Sequence, residues 1–163
     1  MRSSRPHISI SGAAGKRDWN RVRSLFIPGA RLIPAAESVT SDEGRATSSG
    51  EISPQILDVE GFITRAERFF RTSGFYETEI ARRIEQFGSI AHAWSTYESR
   101  HNAGDLEPFM RGINSIQLFN DGSRWWIVTI WQHESPENPV PEKYLQGTRL
   151  RVVDSLPWQS SPG

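Results

Sequence analysis

The sequence predicts an α+β fold in which helices cover one face of a strongly bent antiparallel sheet, and three observations predict it. Residues 112–119 and 124–133 are β-rich runs on either side of Asn120-Asp121-Gly122-Ser123, and Asn and Gly tolerate the positive φ of a tight turn. Two segments of the first half carry apolar residues at helical spacing. The run 124–133 is apolar on both parities, with Trp126, Val128 and Ile130 on one side and Trp125, Ile127 and Trp131 on the other. A sheet with one wet face alternates apolar and polar, so both faces are expected to be covered, one by the helices and the other by a second subunit.

In chain order, residues 1–14 form a polar N-terminal segment. Gly12–Lys16 (GAAGK) is too short for a phosphate-binding loop, and Arg17 stands where that loop needs Ser or Thr. Asp18 is a good N-cap for a helix over WNRVRSLF, which Pro28-Gly29 ends. Residues 30–35 read as a short strand closed by Pro34. From 37 to 54 the composition turns to Ser, Thr, Glu, Asp and Gly, which predicts an exposed, mobile loop. Val59, Phe62, Ile63, Ala66, Phe69 and Phe70 fall at helical spacing within 57–72, with Gly74 as the stop. Residues 75–87 read as a long strand with Tyr76, Thr78 and Ile80 on one face and its charges on the other. Gly88 marks a bulge or bend before a strand over 89–100, and 102–108 is a turn region. Pro136, Pro139 and Pro141 forbid regular structure after Glu134; Tyr144-Leu145 is expected to pin that segment down, and 146–163 is a C-terminal tail. One domain spanning 15–145 is expected, a size that supports a core without staples.

Composition narrows the function classes. Lys+Arg and Asp+Glu both number 19, so no global field draws in nucleic acid or an anionic membrane. Neither partner is expected. The absence of cysteine removes disulfides, thiol nucleophiles and thiolate metal sites. His92, His101 and His133 are scattered without HxH or HExxH spacing, so neither metal nor cofactor is expected. No apolar run approaches the roughly 20 residues of a membrane span, and MRSSRPHISIS lacks the apolar region of a signal peptide, which favours the cytoplasm.

The segments RDWNRVRSLFIPGARLIP, VEGFITRAERFF, GFYETEI, SIAHAWSTYESR and RGINSIQLFNDGSRWWIVTIW, over residues 14–134, resemble the nuclear transport factor 2-like superfamily, in its SnoaL-like and calcium/calmodulin-kinase-association-like branch of small bacterial proteins. The resemblance rests on element order and on the DW, PGAR and WWI signatures. It implies a cone: a curved sheet wrapped on a helix, a pocket open at one end, and dimerisation through the sheet. Such proteins carry a long helix before the DW helix, whereas only 17 residues precede it here, so a truncated first helix or a less closed cone is expected. The superfamily's acid and base groups are not matched. Where ketosteroid isomerases place an Asp general base this chain has Pro34 and Ala35, and their second acid falls at Asn114 or Ser115. Where polyketide cyclases place Asp or His, it has Ile130, Trp131 and Gln132, with His133 at the strand's end.

Period two and the turn together suggest a pocket face built from His92, Trp94, Arg111, Ser115, Gln117, Trp126 and Ile130. His92 is a candidate general base, since its ordinary pKa lies near roughly 6.5; the plainer reading is a half-buried strand residue with a hydrogen-bond partner. Arg111 suits a ligand carboxylate, or else a rim salt bridge with Glu98 or Glu107. Trp94 and Trp126 serve as core as readily as platform. The leading expectation is a binding protein for a small anionic or aromatic molecule. A lyase or isomerase using His92, and a dimerisation module without ligand, are the alternatives. Homodimerisation is expected through the outer sheet face, at Trp125 and Trp131.

Overall fold

The computed structural model describes residues 11–42, 45–134 and 140–146. In chain order these form α1 (Trp19–Arg23), β1 (Phe26–Asp42), β2 (Arg45–Pro54), α2 (Val59–Phe70), β3 (Tyr76–Phe87), β4 (Ile90–Arg100), β5 (Met110–Asn120), β6 (Trp125–Glu134) and a 3-10 turn (Glu142–Tyr144). The strands make one sheet in the order β2-β1-β6-β5-β4-β3, antiparallel except where β1 lies parallel to β6. The expected N-terminal segment up to residue 10 and the tail from 147 lie outside the described residues. No helix among the described residues is long and apolar enough to cross a membrane.

α1 begins at the expected cap, Asp18, and α2 begins at a further aspartate cap, Asp58. The Asp18 carboxylate accepts the Arg21 N–H at 3.0 Å, and Asp58 accepts that of Gly61 at 2.7 Å, each satisfying a donor the first helical turn leaves free. α1 is shorter than its sequence suggests, because Leu25 already gives its carbonyl to the Ile127 N–H at 2.9 Å and Phe26 pairs with Ile127. Pro28 and Gly29 therefore lie inside β1, at the irregularity between Phe26 and Arg31. There a residue without an N–H and a glycine at φ 84° cost little.

Residues 37–42 and 45–54 are a correction: they form paired strands, not loop, with 43 and 44 outside the described residues. β1 runs on to Asp42 and β2 returns antiparallel from Arg45, with partners from Asp42↔Arg45 to Ala35↔Pro54. Beyond Ala35 β1 pairs with β2 alone among the described residues, so this is a two-stranded ribbon projecting past the sheet. A backbone ladder is indifferent to side-chain polarity, so a run of Ser, Thr, Glu, Asp and Gly pairs as strand without the apolar alternation that would announce it.

The helices define an inner face of the sheet. Trp19, Val22, Ile63, Ala66 and Phe70 meet Ala30, Leu32, Phe75 and Ile127 in one core, with Ile116, Leu118 and Ile130 packed beside it. Cross-strand pairing assigns Ala91 and Ala93 to the same side, since they oppose Leu118 and Ile116. Trp19 lies on Phe70 with centroids 6.1 Å apart, which fixes α1 against α2.

One bulge overturns the expected faces of β6. Gln117 pairs with Thr129 but Leu118 with Ile127, so Val128 is an extra residue and parity changes across it. Trp126 thus shares the outer face with Thr129 and Trp131, while Trp125 and Ile127 share the inner face with Ile130. On that outer face Tyr144 is pinned as expected: its ring lies 5.2 Å from that of Trp94, and its carbonyl accepts the Thr96 hydroxyl at 2.8 Å.

Candidate functional site

The expected pocket set divides between two faces. His92 opposes Gln117 and Trp94 opposes Ser115, so those four do share a side, but it is the outer one. His92 Nε2 and Ser115 Oγ are hydrogen-bonded at 2.9 Å and the His92 ring lies 4.7 Å from Trp94, the half-buried strand setting of the plainer reading. Trp126 closes the β5–β6 turn instead. Its indole N–H donates to Asp121 at 2.6 Å and the Arg124 guanidinium covers its ring at 3.5 Å. The indole, the Ser123 hydroxyl and turn N–H groups hold the Asp121 carboxyl well below the usual carboxylate range. Ile130 alone of the seven faces the helices.

Arg111 makes the rim salt bridge, with Nε and Nη2 at 2.9 and 2.7 Å from Glu98, and is 53% exposed. Burial pushes Glu98 up, but hydrogen bonds and charge from Arg100 and Arg111 outweigh it and hold the carboxyl low. Arg111→Met should therefore change stability by less than about 1 kcal/mol in urea unfolding, because Glu98 keeps Arg100. A loss of twice that would mean the pair is far better shielded than its exposure indicates.

The inner face carries a different polar set, which the sequence reading did not find. Opposed pairs Glu77↔Ser99, Glu79↔Tyr97, Tyr97↔Gly112 and Asn114↔Gln132 place carboxyls, hydroxyls and amides on the side the helices cover. Glu77 and Glu79 do stand on the face opposite Tyr76 and Thr78, as expected, and that face is the inner one. Ser95, Tyr97 (1% exposed) and Ser99 (0%) are buried. The Ser95 hydroxyl donates to Glu79 Oε2 at 2.5 Å and the Gln132 amide donates to the Tyr97 hydroxyl at 2.9 Å. Arg82 meets the same Glu79 oxygen through Nε and Nη2, both at 2.9 Å. Two buried atoms among the described residues have no partner: Glu79 Oε1 and Ser99 Oγ. Burial, with the charge of Glu79 as the second cause, pushes Glu77 up to about 7.

A usable signal was the odd-numbered set of β4. Ala91, Ala93, Ser95, Tyr97 and Ser99 are small apart from one tyrosine, as strand positions beneath packed helices tend to be, whereas His92, Trp94 and Thr96 attracted attention by chemistry. No group of three or more His, Cys, Asp or Glu that could hold a metal ion stands together among the described residues.

No family model matches the chain, and no curated protein matches it. An NTF2-like protein of unknown function from Shewanella baltica is similar at 15% identity and a TM-score of 0.48, over 74% of this chain and 80% of that one. A candidate ketosteroid isomerase from Shewanella frigidimarina is similar at 14% identity and a TM-score of 0.44, over 71% and 80%. Two helices laid on the inner face of an open, bulged six-stranded sheet make the α+β architecture that the sequence predicts.

Proposed function

We propose that this chain binds a small organic molecule on the inner face of its sheet. One observation carries the reading. A face that packs against helices should be apolar, yet here it holds buried Ser95, Tyr97 and Ser99 beside Glu77 and Glu79, with two polar atoms unpartnered. Leaving such atoms unpaired costs on the order of 1–3 kcal/mol each, a cost that a ligand's polar groups would relieve. Apolar Phe75, Ile116 and Ile130 supply the contact area on the same side. Binding is preferred to catalysis because His92, the expected base, lies on the other face. The isomerase description of the Shewanella frigidimarina structure would need an acid or base here, a task that would fall to Glu77. A fragment screen by protein-observed NMR tests the reading. Amide shifts should cluster at Ser95–Ser99 and Gly112–Ile116; shifts confined to the outer strands, or none, would remove it.

A second proposal concerns the outer face and keeps the expected homodimer, with one change of residues. Phe87↔Ile90, Ile90↔Phe119 and Phe119↔Trp126 are direct cross-strand partners, so four large apolar side chains form one row across β3, β4, β5 and β6. Phe87 is 86% and Ile90 61% exposed, and Trp131 stands two residue rows away on the same face. Burying that row would gain roughly 25 cal/mol per Å² of apolar surface before association costs. Trp125 plays no part, since it faces inward. Sedimentation at micromolar concentration should give twice the 18.5 kDa chain mass, and Phe119→Glu should halve it. A wild-type protein that sediments only as the single chain would end the proposal.

A further inference from the structure

We infer that the inner face takes an organic amine, its ammonium group seated among Glu77, Glu79 and Ser99 and its hydrocarbon body against Phe75; this rests on the inner face being the binding face. Glu77 opposes Ser99 and Glu79 opposes Tyr97 without a register shift, so the three polar side chains stand on adjacent strands on one side of the sheet. Directly opposed residues have Cβ atoms only about 5 Å apart, and alternate residues of one strand about 7 Å. Ser99 has no exposed surface, and its Oγ has no partner among the described residues. Glu79 gives Oε2 to Arg82 and Ser95 and leaves Oε1 buried and unpaired. The hydrogen bonds at Glu77 are made by its backbone, to Ser11, and no described group donates to its carboxyl.

What all three positions lack is a donor. Ionised carboxylates only accept, and a serine hydroxyl accepts as well as donates. A ligand carboxylate would bring more acceptors and a like charge, and with Glu77 ionised a carbonyl would find only the Ser99 hydroxyl to use. An ammonium brings three donors and the missing positive charge. The charge balance agrees. On β3 the Glu79–Arg82 pair is internally neutral. β4 and β5 face this place with Tyr97, Ser99, Met110 and Gly112, none of them charged. The guanidinium of Arg17, in the stretch before α1, is held by the carbonyls of Gly12 and Ala13 and lies over Phe70, and His101 is stacked on Phe109. Among the described residues of β3, β4 and β5 that face this place, Glu77 is thus the one whose ionised form meets no cationic partner.

The half-protonated state of Glu77 near neutrality fits an amine site. Seating an ammonium stabilises the carboxylate, so binding expels a proton below about pH 7 and tightens as pH rises through that value. Isothermal titration with phenethylamine, 2-phenylethanol and 3-phenylpropionate, on wild type and on Glu77→Gln at pH 6 and 8, decides the matter. The amine should bind about tenfold tighter than the other two at pH 8 and lose several-fold at pH 6. Glu77→Gln should abolish that preference while still melting cooperatively, and Ser99→Ala should weaken the amine without altering its pH dependence. An amine that binds no better than the alcohol, or binds Glu77→Gln equally well, overturns the inference. If the alcohol or the acid is the better ligand and still shifts the Ser95–Ser99 amides, the inner face remains a binding face and only the amine is wrong. If none of the three binds, the amine inference falls, and the binding face itself is judged by the fragment screen.

Discussion

Lowering the pH from 8 to 5 should stabilise this protein by about 2.5 kcal/mol, and Glu77→Gln should remove most of that dependence. An ordinary glutamate titrates near roughly 4.3, whereas burial, reinforced by Glu79, pushes Glu77 up to about 7 in the folded chain. Between those values the folded state holds a proton that the unfolded state has released. Stability therefore falls as pH rises through this window and levels off above about pH 7. The whole cost of ionising Glu77 is about 3.7 kcal/mol, at roughly 1.4 kcal/mol for each tenfold change in proton affinity, and about 1 kcal/mol of it is already incurred at pH 5. Groups held in the opposite direction act outside the window. Glu98, Asp105 and Asp121 are kept low by hydrogen bonds and charge, so their stabilisation is lost only when the solution becomes much more acidic. Urea unfolding followed by tryptophan fluorescence at pH 5 and 8 reads the difference. Parallel pH dependences in wild type and Glu77→Gln would show that the carboxyl is better solvated than its setting between Phe75 and Ser99 implies.

The parts of the fold that were legible are those in which local chemistry and tertiary packing agree. Asp18 caps its helix because its carboxylate satisfies an orphan donor wherever the helix ends up. The Asn120–Ser123 turn closes because Gly122 takes φ 97° and the Asp121 side chain gathers the turn's N–H groups. Where the reading failed, the deciding interaction lay elsewhere in the chain. Nothing local to Thr40 or Thr47 says that they will be partners. The parallel contact of β1 with β6 depends on α1 delivering Phe26 to Ile127, a contact about a hundred residues long. Within β6 the expected site was split by one residue, which parts Ile130 from Trp126. Strand faces were counted with strict alternation, and the extra residue at Val128 exchanges the faces of everything beyond it. The face of β4 had a different cause. Its aromatic and imidazole residues were assigned to the pocket on chemical interest, while Ala91 and Ala93, by their size, already marked the helix side.

Gly112→Ala should cost about 3 kcal/mol, the largest effect expected of so small a change. Gly112 sits on the inner face directly between Tyr97 and Glu134 in the strand register. A Cβ there would meet the Tyr97 hydroxyl, stand 2.6 Å from its Cζ and 2.8 Å from the His133 carbonyl oxygen. None of these can withdraw cheaply. The tyrosine is 1% exposed and its hydroxyl receives the Gln132 amide at 2.9 Å. The carbonyl belongs to the backbone of β6. Moving the ring would also disturb Glu79, its neighbour across β3, and with it the buried polar row. A double-mutant cycle isolates the cause. In a Tyr97→Ala background the ring is gone, and Gly112→Ala should then cost less than about 1 kcal/mol, the His133 carbonyl being the remaining obstacle. Gly104→Ala is the control, because a Cβ at that position meets nothing within 4 Å. A Gly112→Ala protein within about 0.5 kcal/mol of wild type would mean that Tyr97 has somewhere else to go. The ring would then be the movable cover of the inner face, not its fixed floor.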